Sequence, residues 1–129
     1  MKKIIGLPLL LAALLSPQLA LAAQADCGDS VTTYDIIRCE GKQLDAAERA
    51  LNAAYGRVMK ELAGPASYER EAKALLVKAQ RHWIAFREQD CAARSTAMGG
   101  GSLQGVVRVS CMREHAEIRT RQLDAFRQD

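Results

Sequence analysis

This chain of 129 residues is short of the features that announce an enzyme or a metalloprotein. No two of its four cysteines, Cys27, Cys39, Cys91 and Cys111, stand in the close C-x-x-C pairs that a structural zinc site wants. Its two histidines, His82 and His115, have no third metal ligand and no nucleophile spaced to serve them. The run Gly99-Gly100-Gly101-Ser102 is not followed by Lys-Ser or Lys-Thr, so it is not a phosphate loop. Glu40, Asp45, Glu48, Glu61, Glu69 and Glu71 are spread at helical spacing along solvent faces rather than paired in a cleft. These absences leave no catalytic residue, cofactor or metal site to assign, and a binding function is the better reading. Beyond residue 15 no apolar stretch is long enough to hold the chain in a membrane, and no basic run suggests nucleic acid or anionic lipid as a partner.

What is present first is an address. Met1-Lys2-Lys3, an apolar run from Ile4 to Leu15 and the small-residue stretch from Ala20 to Ala25 form a secretory signal peptide. Cleavage is expected after Ala22, or alternatively after Ala25, and residues 26–129 are expected to form one helical domain. Asp26 precedes Cys27, where a lipoprotein signal would place a small residue, so the mature chain is expected to be a soluble periplasmic protein without an anchor. Loss of Lys2 and Lys3 leaves 16 of the 18 basic residues against 15 acidic ones, a mature net charge of about +1. All four cysteines enter an oxidising compartment, where two disulfides are expected.

Apolar spacing predicts three helices. Ile37, Leu44, Leu51 and Val58 recur every seven residues, with Tyr34, Tyr55 and Leu62 on the neighbouring row, which predicts one helix of roughly 46 Å from Thr33 to about Ala63. Gly41 and Gly56 lie inside it at about 1 kcal/mol each relative to Ala, and a break at Gly41 is the alternative. Gly64-Pro65 stops this helix, and Ser67 is the expected N-cap of a second. Tyr68, Ala72, Leu75, Leu76, Ala79, Trp83 and Phe86 form its apolar face, which fades near Ala92 to Ser95. Met98 to Ser102 reads as a flexible loop. A third helix starts at about Gln104, with Val109, Met112, Ala116, Leu123 and Phe126 on one side and Arg119 intruding on that stripe. The β-branched run from Val106 to Val109 leaves its first turns open. The core is expected around Leu44, Leu51, Tyr55, Leu76, Trp83 and Phe86.

Three helices with short connections pack up, down, up, as an all-α antiparallel three-helix bundle. The start of the first helix, the end of the second and the start of the third then share one end, which gathers the cysteines and puts two disulfides there. Four cysteines allow three connectivities, and this clustering excludes none of them. The local pairs are favoured. Cys27–Cys39 would pin the mature N-terminus to the first helix, and Cys91–Cys111 would close the base of the glycine loop for roughly 3 kcal/mol in the chain-entropy model.

The residues also carry a resemblance. Leu51-Asn52-Ala53-Ala54-Tyr55 with Val58-Met59, then Gln80-Arg81-His82-Trp83-Ile84 and Arg87 with Cys91 four residues on, then Cys111, Arg119 and Leu123, resemble the LprI-type lysozyme-inhibitor domain over nearly the whole mature chain. One position departs from the family's pattern, which tends to place Thr where Ala116 stands. The resemblance implies an exported helical protein, not an enzyme, that binds and inhibits a lysozyme or another peptidoglycan hydrolase. An immunity-type protein against a rival's wall-degrading effector and a non-enzymatic envelope scaffold are the other readings. A charge near +1 offers no global attraction to a basic lysozyme, which speaks mildly against the inhibitor reading, although a local acidic patch could supply that attraction.

Two sets of residues are candidates for that contact or for its support. The loop Met98, Gly99, Gly100, Gly101 and Ser102 could enter a cleft without disturbing the core, whereas the bland reading is a turn. Leu51, Asn52, Tyr55, Gln80, Trp83, Arg87 and Arg119 read as a structural motif. In that reading Trp83 is a core tryptophan, and Asn52, Gln80, Arg87 and Arg119 are half-buried groups that fix helix register, with Glu48 or Asp90 as partners. His82 and His115 read as surface or boundary residues.

Overall fold

A computed structural model describes residues 27–126; the leader and its cleavage sites lie outside the described residues. Among these the chain forms a short 3-10 turn (Cys27–Asp29) and three helices, α1 (Thr33–Glu61), α2 (Ser67–Thr96) and α3 (Leu103–Asp124), with no strand. The first helix runs unbroken through Gly41 and Gly56, as its seven-residue phase requires. It starts where the Thr32 hydroxyl accepts the Asp35 N–H at 3.1 Å, an orphan donor of the first turn. It stops at Glu61, two residues short of the predicted end, because Pro65 offers no N–H to the Glu61 carbonyl and pushes Gly64 out of helical geometry.

The start of α2 corrects the expected cap. Ala66, not Ser67, holds the N-cap position with extended backbone, and Ser67 is the first helical residue. Alanine has no capping atom, so Glu69 does the work from the third helical position, where its carboxylate accepts the Ala66 N–H at 3.1 Å. Its negative charge also suits the positive end of the helix dipole. At its other end α2 extends to Thr96, and α3 takes in the whole β-branched run.

The core is built from Ala47, Leu51, Ala54, Val58 and Leu62, closed by Leu76 of α2 and by Ala116 and Leu123 of α3. Tyr55, Met59, Ala72 and Trp83 pack at its margin. Phe86, expected in the core, is 56% exposed, and Leu44 is only half-buried. Tyr68, Leu75 and Ala79 of the expected α2 face are exposed too, as are Tyr34 and Phe126. The reason is the packing order: α3 lies against both other helices, and α2 rests mainly on α3. A helix held on one side buries one stripe, and on α2 that stripe is Leu76, Arg87 and Cys91.

Side-chain pairs join the helices. Ser95 with Gln104, Arg94 with Glu114, Asp90 with His115 and Gln80 with Arg119 descend α2 as they ascend α3. Glu40 with Arg113 and Arg57 with Asp124 ascend α1 and α3 together. The cysteines form two bonds, Cys27–Cys39 at 2.06 Å and Cys91–Cys111 at 2.01 Å. The first ties the short turn to α1, where the Gln43 side-chain amide also donates to the Cys27 sulfur at 3.2 Å. The second joins α2 to α3 in the interior, with Cys91 fully buried.

Candidate interaction site at the helix junction

Where the three helices meet, two arginines lie over one tryptophan. Trp83 belongs to the α2 side that faces the core, and Arg87, one turn later, places its guanidinium carbon 4.9 Å from the ring centroid. Arg119 of α3 approaches the same ring at 5.9 Å. A cation over an indole face gains about 0.5–2 kcal/mol depending on its desolvation, so the stack holds both arginines in place. Arg87 is 7% exposed and meets Glu48 of α1 at 2.5 Å, while its Nε has no hydrogen-bond partner. Arg119 is half-buried and meets amides only: its Nε donates to Gln80 at 3.0 Å and its Nη1 to Gln122 at 3.2 Å. Burial lowers its pKa. Two cations and one carboxylate therefore share this junction, and one positive charge is left over.

A second polar group lies one turn away along α3. His115 meets Asp90 at 2.7 Å, Arg94 meets the same carboxylate oxygen at 2.9 Å, and the His115 ring stands edge-on to Phe86 at 5.5 Å. Donor atoms of Asp90, Cys91, Cys111 and His115 lie within 4.8 Å of one another, yet both sulfurs are spent on the disulfide. One carboxylate and one imidazole are too few to make a metal centre. The cluster instead fastens α2 to α3. The hydrogen bond from His115 lowers the Asp90 pKa, with Arg94 adding to it against the opposing effect of burial. The folded carboxyl thus ionises below its unfolded value, near 3.9, so its contribution is complete above that pH and is lost as pH falls through the folded value. The melting temperature is expected to fall more steeply below about pH 4 in the wild type than in Asp90→Asn; parallel curves would remove Asp90 from the acid response.

The remaining expected residues separate. Leu51 is buried and Tyr55 half-buried at the core margin, whereas Asn52 is exposed, which corrects its reading as half-buried. His82 is exposed, and His115 is the boundary residue already described. Ala116, the departure from the family pattern, is fully buried in the apolar core. Met98 to Ser102 forms the exposed connection between α2 and α3, with φ of +72°, +101° and +90° at its three glycines, a left-handed run that side chains resist. The Ser95 hydroxyl, donating to the Gln104 carbonyl at 3.0 Å, closes the loop above the disulfide. Gln122 was not among the expected residues; its signal is the three-residue step from Arg119, which places both on one face of α3.

These features define a class: an all-helical, disulfide-braced domain with a polar–aromatic cluster at its helix junction. The family model of the lysozyme inhibitor LprI matches residues 23–123, and the chain belongs to that family. It is also 30% identical over 115 residues to an uncharacterized protein, R02472, of Rhizobium meliloti (strain 1021), covering 84% of this chain and 83% of that one. No solved structure matches.

Proposed function

We propose that the protein is exported through its N-terminal leader and acts in the periplasm as a non-enzymatic inhibitor of a lysozyme or related peptidoglycan hydrolase. The family match over residues 23–123 carries this reading. Among the described residues no helix is long and apolar enough to cross a membrane, which accords with release after cleavage. The order of the joined pairs supports an up-down-up bundle with both disulfides toward one end. A stapled bundle of this kind gives a rigid body, which lowers the ordering cost of binding a partner.

The contact surface in this reading includes the loop from Met98 to Ser102. The purified mature chain is expected to slow peptidoglycan lysis by at least one muramidase. A shorter linker in place of Gly99 to Ser102 is expected to weaken that protection while helicity and melting stay unchanged. Equal protection by the loop variant would move the contact to a helix face. Failure of the intact chain against every muramidase tried would replace the inhibitor reading with the envelope scaffold.

A further inference from the structure

Arg119 is the exception among the arginines that lie between helices. Arg57, Arg87, Arg94, Arg108 and Arg113 each meet a carboxylate on another helix. Arg119 meets none within the described residues, although it is half-buried and its donors are aimed by Gln80 and Gln122. An amide accepts a hydrogen bond without neutralising the charge, so this guanidinium is oriented but not compensated. Gln122 is exposed, so the Gln122 end of the guanidinium lies at the surface. Exposed apolar side chains stand on both helices that hold Arg119. Phe86 is exposed beside His115, one turn from Arg119, and Leu75 and Tyr68 share the same α2 face. On α3, Phe126 lies two turns beyond Arg119 and is 42% exposed. Exposed aromatic and aliphatic side chains with one fixed arginine are the composition of an interface centre rather than of a solvated helix face.

A partner for such a surface should offer a carboxylate set in an apolar or aromatic recess. A glycosidase that cuts peptidoglycan has that feature, because its cleft carries a pair of carboxyl groups at the scissile bond, one of them ionised at neutral pH. We propose that Arg119, held on the face of Trp83, docks over the substrate cleft of the target muramidase and pairs with a cleft carboxylate. This rests on the inhibitor reading and gives it a mode: the arginine fork blocks the residues that act on the sugar chain. It also answers the charge objection, since one local pair needs no net attraction between the two proteins. Arg119 and the glycine loop are about 24 Å apart along α3, so variants at the two places report separate contacts.

The test is a double-mutant cycle with a muramidase that the mature chain inhibits. Arg119→Gln should weaken binding about 10- to 100-fold, and Arg119→Lys should fall between because it keeps the charge but not the fork. Circular dichroism melting checks that each variant is folded. In the second arm the target's ionised cleft carboxylate, the partner of its general acid, is replaced by the matching amide and binding is read by calorimetry, which leaves this chain untouched. The target change should weaken the wild type and add little to Arg119→Gln. Equal binding by Arg119→Gln, or two losses that simply multiply, would overturn the pairing while the inhibitor reading stands. If the wild type inhibits no muramidase, both fall together.

Discussion

Glu48→Ala is expected to destabilise the protein by about 3 kcal/mol, the low end of the range for breaking a buried ion pair, because Glu48 is one-third exposed and water can reach part of the vacancy. The cost falls on its partner. Arg87 is buried against Trp83 with its Nε already lacking an acceptor, so removing the carboxylate leaves a charge in the interior with only the indole face for company. Glu48→Gln should lose less, since its amide oxygen can still accept one hydrogen bond. The double change Glu48→Leu with Arg87→Met should recover most of the loss by replacing two desolvated charges with apolar atoms of similar volume. Urea unfolding of the four proteins decides it. A double variant as unstable as Glu48→Ala would show that Arg87 packs in a way no methionine can copy.

That same arginine explains where the sequence is readable and where it is not. The phase of Ile37, Leu44, Leu51 and Val58 carries α1 through Gly41 because a helix that contributes most of the core keeps its apolar residues on one stripe. On α2 two apolar rows lie side by side. One holds Tyr68, Leu75, Ala79 and Phe86; the other holds Leu76 and Trp83 and is interrupted by the charge of Arg87. Periodicity takes both rows as one apolar face, but the structure buries only the interrupted one, since Glu48 supplies the counter-charge and Trp83 the face that let Arg87 go inside. Period alone says that residues are in phase with each other. It does not say which neighbour is present, and Phe86 is exposed for that reason. The site has the same limit: Trp83, Arg87, Arg119 and Gln80 are legible as residue types at helical spacing. The pairing of Glu48 with Arg87 and of Asp90 with His115 depends on the register between helices, which no local pattern encodes, whereas Asp90 and Arg94 are an i, i+4 pair within α2.

The two disulfides should differ in what their removal costs, although the chain-entropy model nearly equates them at about 3 kcal/mol each for separations of 12 and 20 residues. That model counts only the freedom returned to the unfolded chain. Without Cys91–Cys111 the folded state gains almost no freedom in exchange, because both positions sit in packed helices, with Cys91 fully buried and Cys111 at 4% exposure. The paired alanines would also leave space between α2 and α3, so the full loss of about 3 kcal/mol is expected. Without Cys27–Cys39 the short turn at Cys27–Asp29 can leave α1, and the freedom it gains in the folded state offsets the freedom gained in the unfolded one. Cys27→Ala with Cys39→Ala is therefore expected to cost less than half as much, roughly 1 kcal/mol, when helix content is followed through urea unfolding. Hydrogen exchange should then show Cys27 to Ser30 opening ahead of the helices. Equal losses from the two double variants would mean that the N-terminal turn is part of the cooperative core rather than an attachment to it.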